Sequence, residues 1–92
     1  MAKYESVALF SLKNGQEAAE VLRDKFKALI EANGTIEAVD EWGKRTLAYP
    51  INYETEGYYV LYTFDAGEDF PAEMDRVYKI TDGVLRWLTV AK

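Results

Sequence analysis

The chain has 92 residues, is 49% apolar, and carries 11 basic against 16 acidic side chains for a formal net charge of −5. That length fits one domain with one core, and the composition reads as globular and soluble rather than disordered. There is no Cys and no His, and the only Ser residues are Ser6 and Ser11, which excludes disulfides, Cys/His zinc sites, Cys or His catalysis and a Ser-His-Asp triad.

Tyr4 to Ser11 is short, apolar and bounded by polar residues, and reads as a strand. Asn14-Gly15 follows as a turn, and Asn14 with Glu17 has the form of a helix capping box. From Gln16 to about Ala32 the spacing of Leu22, Phe26, Leu29 and Ile30 predicts a helix with one apolar face, stopped by Asn33-Gly34. Thr35 to about Ile51 predicts a strand. Gly43 inside it points to a bulge, and Pro50 places it at a sheet edge. Asn52 to Gly57 reads as a polar loop, and Tyr58 to Phe64 is the strongest strand signal in the chain. Asp65 to Asp69 is an acidic loop. Asp69 is placed to cap a second helix with Pro71 in its first turn, and Phe70, Met74 and Val77 line its inner face. Asp82-Gly83 makes a turn, and Val84 to Val90 is a last strand.

The order β-α-β-β-α-β predicts an α+β ferredoxin-like fold over residues 1–92, with two helices on one face of a four-stranded antiparallel sheet. Right-handed crossovers leave few other arrangements. No apolar run approaches the ~20 residues needed to cross a membrane, and no signal-peptide pattern opens the chain, so a cytoplasmic location is expected.

A sheet covered on one face should alternate apolar with polar residues. These strands do not. Tyr58, Val60, Tyr62 and Phe64 form one set, yet Tyr59 and Leu61 lie on the opposite side. Val7 and Leu9 share the face away from Tyr4, Ala8 and Phe10, and Leu88 falls on the outer side of the last strand. Two helices cover one face only. Val7, Leu9, Tyr59, Leu61 and Leu88 are therefore expected on an open apolar face that seats a partner. Basic residues are sparse: Lys44-Arg45 follow Gly43, Lys3 precedes the first strand, Arg86 interrupts the last, and Lys92 ends the chain. With Trp42, Tyr49 and Tyr4 they compose a basic-aromatic rim of the type that contacts phosphate and stacks on bases. A Lys-Arg pair on an edge strand also serves against edge-to-edge aggregation. A net charge of −5 works against unaided binding to a polyanion.

At Trp42 to Ile51 the chain reads W-G-K-R-T-L-A-Y-P-I, flanked by Tyr4-Glu5, by Gly57-Tyr58-Tyr59-Val60-Leu61, and by Ile80, Asp82, Val84 and Arg86. This resembles the bacterial small-subunit ribosomal protein S-six family over nearly the whole chain. Thr46 stands where that family often has a charged or amide residue, and the C-terminal tail of some members is missing after Lys92. The resemblance implies a structural, non-catalytic role without cofactor or small-molecule substrate. It implies binding to the central domain of small-subunit ribosomal RNA as a heterodimer with the small basic ribosomal protein S-eighteen. By motif position Lys44, Arg45 and Tyr49, then Lys3, Tyr4 and Arg86, are the expected RNA-side residues. Val7, Leu9, Tyr59, Leu61 and Leu88 are the expected seat of the protein partner.

Two other readings share the topology. An RNA-recognition-motif-like domain would bind single-stranded RNA by itself, but Glu56, Tyr59 and Val60 depart from that motif's third-strand pattern. A small-molecule binder or enzyme on the same fold would need convergent groups, whereas Asp40 and Glu41 are adjacent on a strand and point to opposite faces.

Overall fold

The computed structural model describes residues 2–51 and 54–92. The elements are β1 (Ala2–Ser11), α1 (Gln16–Asn33), β2 (Gly34–Ile51), β3 (Glu54–Ala66), α2 (Phe70–Ile80) and β4 (Val84–Ala91). They form a four-stranded antiparallel sheet in the order β2-β3-β1-β4, as the ferredoxin-like pattern predicts. The edge position expected from Pro50 is correct, because β2 is one of the two edges.

Alternation decides which side of the sheet the helices cover. Tyr4, Ser6, Ala8 and Phe10 of β1 are paired with Phe64, Tyr62, Val60 and Tyr58 of β3, and all eight are buried. Against them α1 packs Ala19, Phe26 and Ile30, and α2 packs Phe70, Met74 and Tyr78. Tyr78 is on the buried side of α2 and Val77 only partly so, one position along from the expected inner face. Aromatic rings link both helices to the sheet. Phe26 stacks on Tyr78 with centroids 4.2 Å apart, Phe10 lies 5.9 Å from Phe26, and Trp87 lies 5.9 Å from Tyr78. Such contacts contribute beyond the area they bury.

Polar groups in this layer find partners. Ser6 Oγ lies 2.9 Å from the Tyr78 hydroxyl and 2.9 Å from Thr89 Oγ1, and the Tyr62 hydroxyl donates to the Arg23 carbonyl at 2.8 Å. Burial pushes the Tyr62 and Tyr78 hydroxyls well above the usual tyrosine range, so both stay protonated.

Several local expectations need correction. The Asn14–Glu17 capping box does not form. Gly15 occupies the cap position with φ +93°, and no side chain bonds there. Asp69 does cap α2, with Pro71 in the first turn, but its carboxylate makes no capping bond. Gly34 is extended (φ −175°) rather than left-handed, so it opens β2 instead of closing α1 in a left-handed turn. Its lack of a side chain answers a different need, since a Cβ there would stand 2.1 Å from the Asp65 carbonyl oxygen. β3 begins at Glu54, so the predicted loop before Tyr58 is largely strand; its residues Asn52 and Tyr53 lie outside those described. Asp65 and Ala66 likewise extend β3. A register shift beside Leu85 turns Val84 toward the core, opposite Phe10, although simple alternation puts Val84 with Arg86 and Leu88.

Candidate protein and nucleic-acid interface

The sheet face away from the helices is built by the alternate residues of the same strands. Val7 sits between Leu61 of β3 and Leu88 of β4, and Leu9 between Tyr59 and Arg86. Val7, Tyr59 and Leu61 are half-buried, and Leu88 is 64% exposed. Val7, Leu9, Tyr59, Arg86, Trp87 and Leu88 line a shallow groove of about 220 Å3 across β3, β1 and β4. Alternation therefore brings all five residues expected there to one face, and four of them, all but Leu61, line the groove.

Leu9 needs a correction. It lies on the open face but is only 1% exposed, so it supports the groove floor rather than presenting surface. The cause is diagonal: Gly57 has no side chain, and Leu9 fills its space, with Cδ1 2.2 Å from where a Gly57 Cβ would stand. Val90 joins the face opposite Glu5 and is 44% exposed. Its alternation with Leu88 was a sufficient signal in the sequence, yet it was not among the expected contact residues.

The basic-aromatic rim lies at the end of the face nearest Gly43. Gly43 has φ +76° and sits at a register shift in the β2–β3 ladder, the bulge its position predicts. One more residue on β2 re-aims the strand, and Trp42 comes to rest against Tyr59 with ring centroids 6.0 Å apart. Arg45 pairs with Gly57 across the ladder, is exposed, and joins no ion pair among the described residues. Lys44 pairs with Tyr58, so it projects on the helix side of the sheet, away from Arg45, where it is exposed and 3.4 Å from the Glu56 carboxylate. Tyr49 is 53% exposed, and the Arg86 guanidinium lies 5.4 Å from its ring centroid. That cation–π contact joins residues of the two edge strands across the width of the sheet.

The opposite end of the face is acidic. Glu5, Asp40 and Asp65 lie along it, and Lys3 is paired with Glu37 at 2.9 Å. Glu37 accepts a hydrogen bond from Lys3, which raises the lysine and lowers the glutamate from their ordinary values. Lys3 is thus exposed but separated from the Arg45–Arg86 end. Tyr4 is not part of the rim at all. It faces the helices, is 7% exposed and packs against Phe64 at 5.8 Å, because its position is in phase with Ser6, Ala8 and Phe10. Among the described residues, no helix is long and apolar enough to cross a membrane.

The chain has known relatives. The family described as "Ribosomal protein S6" matches residues 3–91. The small ribosomal subunit protein bS6 of Clostridium novyi (strain NT) is 46% identical over 91 residues, covering 98% of this chain and 96% of that one. Its counterpart in Alkaliphilus oremlandii (strain OhILAs) is 50% identical over 90 residues, with the same coverage. Among solved structures, the 30S ribosomal protein S6 of Thermotoga maritima superimposes with a TM-score of 0.90 at 30% identity, covering 99% of this chain and 87% of that one. The match runs through both helices and all four strands, and the chain belongs to the ribosomal protein S6 family, a family of structural rather than enzymatic proteins.

Proposed function

We propose that this chain is a structural component of the bacterial small ribosomal subunit, in the cytoplasm, and binds the central domain of small-subunit ribosomal RNA as a heterodimer with the small basic protein S-eighteen. The single observation that carries this reading is the open sheet face. It is apolar across Val7, Leu61 and Leu88, and it belongs to a chain of net charge −5. An exposed apolar surface calls for a protein neighbour. The negative balance calls for a neighbour that brings cations, and opposite charge speeds their encounter.

In this reading Val7, Tyr59, Leu61, Leu88 and Val90 touch the protein partner, with Leu9 as the floor beneath them. Arg45, Tyr49 and Arg86 face RNA from the bulge end, Lys44 joins them from the other side of the β2 edge, and Lys3 contributes from the far end. Phosphate contacts from so few cations are weak by themselves, so affinity for RNA depends on the partner. Gel-shift titration of a central-domain RNA fragment tests this. The chain alone should leave the RNA unshifted at concentrations where chain plus S-eighteen shifts it fully. Tight binding by the isolated chain would favour an RNA-recognition-motif-like mode, and failure to associate with S-eighteen would remove the partner.

A further inference from the structure

The sheet has two free edges, and they are finished differently. The β2 edge carries Glu37, Asp40, Glu41, Lys44, Arg45 and Pro50, and its ladder with β3 is broken by three register shifts. Charges, proline and bulges are the devices that stop another strand from pairing with an edge. β4 has none of these from Trp87 to Ala91, where the sequence is W-L-T-V-A in unbroken register with β1.

The register also says which backbone groups β4 leaves open. Lys92 N–H donates to the Lys3 carbonyl at 2.9 Å. Antiparallel alternation then puts Val90, Leu88 and Arg86 in the hydrogen-bonded pairs with β1, and turns the N–H and C=O of Trp87 and Thr89 outward. Beside this open edge lies the apolar groove, and Leu88 and Val90 are exposed along it.

We infer that β4 is an acceptor edge, on which an extended segment of the basic protein partner adds as a fifth strand. This rests on the function proposed above. Strand addition supplies main-chain hydrogen bonds, while side chains of the added strand enter the groove. The occupant is a cationic segment rather than a second copy. Glu5, 4.0 Å from the Lys92 ammonium, lies opposite Val90 on one side of the edge, Asp75 accepts from the Trp87 indole on the other, and the chain as a whole is acidic. Two copies would each bring a net charge of −5 to the contact.

Amide-resolved hydrogen exchange on the full chain, free and with S-eighteen, tests the inference. The Leu88 and Val90 amides should be slow in both states, and the Trp87 and Thr89 amides should slow at least ~10-fold only in the complex. A complex that leaves Trp87 and Thr89 unchanged overturns strand addition and leaves the proposed function standing. Absence of any complex overturns both. Slow exchange at these amides in the free chain, rising with concentration together with a dimer mass, gives the edge to a second copy and overturns the inference. A variant pair reads the same bond: Thr89→Pro removes the outward N–H, whereas Thr89→Val loses the same hydroxyl and keeps it. Thr89→Pro should bind S-eighteen ~2–10-fold more weakly than Thr89→Val, and equal affinity overturns strand addition.

Discussion

Leu9 occupies the space that a side chain on Gly57 would need: a Cβ there would lie 2.2 Å from Leu9 Cδ1 and 3.0 Å from Cγ. The two residues are on neighbouring strands and two positions out of register, so the leucine leans diagonally across the open face. That lean keeps Leu9 at 1% exposure on a side of the sheet that no helix covers. Gly57→Ala should therefore displace Leu9 and destabilise the protein by ~1–3 kcal/mol, the cost of overpacking a filled site. Urea denaturation of Gly57→Ala, Leu9→Ala and the double mutant gives the coupling. The alanine at 57 should be nearly neutral once Leu9 is shortened; an equal cost in both backgrounds would show that the two do not share the space.

Tyr59 and Leu61 differ from Leu9 in being half-exposed on the same face. Replacing both by Asp should leave the helix-side core intact and abolish binding to the basic partner, because the apolar seat becomes charged. Far-UV circular dichroism and a partner-binding titration separate the two effects. An unfolded double mutant would mean that these side chains hold the monomer together. Native-like binding would move the partner to another surface.

Glu41 joins α1 to the β2–β3 ladder. It accepts a 2.6 Å hydrogen bond from the Tyr58 hydroxyl and a second from Arg23. These bonds, the tyrosine's first, hold its carboxyl below its ordinary value of 4.5. A depressed folded value means that the unfolded chain takes up a proton first as pH falls. The stabilisation is present above about 4.5 and disappears as pH drops through the lower folded value. The side chain is 42% exposed, so solvent screens the contribution. Glu41→Gln should flatten the acid limb of a stability-versus-pH curve below pH 5 and leave its slope between pH 6 and 8 unchanged. An acid limb identical to the parent's would assign that proton uptake to other carboxylates.

The strands, the helices and their order were legible because apolar spacing marks each one, and Gly43 and Pro50 marked the bulge and the edge by chemistry that admits few other readings. Individual burial was harder to read. Tyr4 and Tyr59 are the same residue type on neighbouring strands, and one is core while the other is surface. Alternation separates them, since Tyr4 is in phase with Ala8 and Phe10 while Tyr59 is out of phase with Tyr58 and Val60, and the rim expected around Tyr4 ran against that pattern. Leu9 lies on the expected face but is buried, because the room it folds into is left by the missing side chain of Gly57, nearly fifty residues away. The Asn14–Glu17 pattern carried the right residue types, but Gly15 took the cap position. The Tyr49–Arg86 contact left no trace in either local sequence, since the two residues lie on opposite edge strands.

Ser6 offers the sharpest test of the polar thread through the core. It is fully buried, and its hydroxyl meets both the Tyr78 hydroxyl and Thr89 Oγ1 at 2.9 Å. Tyr78→Phe removes one end of the thread and leaves Ser6 bonded to Thr89, so it should cost only ~0.5–1.5 kcal/mol. Ser6→Ala leaves the Tyr78 hydroxyl, which is also fully buried, without a partner, and should cost ~1–3 kcal/mol. Thr89 is part-exposed and can turn to water. The double mutant Ser6→Ala/Tyr78→Phe removes donor and acceptor together, so it should be less destabilised than the sum of the two single mutants. Strict additivity in chemical denaturation would mean that the hydroxyls are solvated independently and that the bond between them contributes nothing.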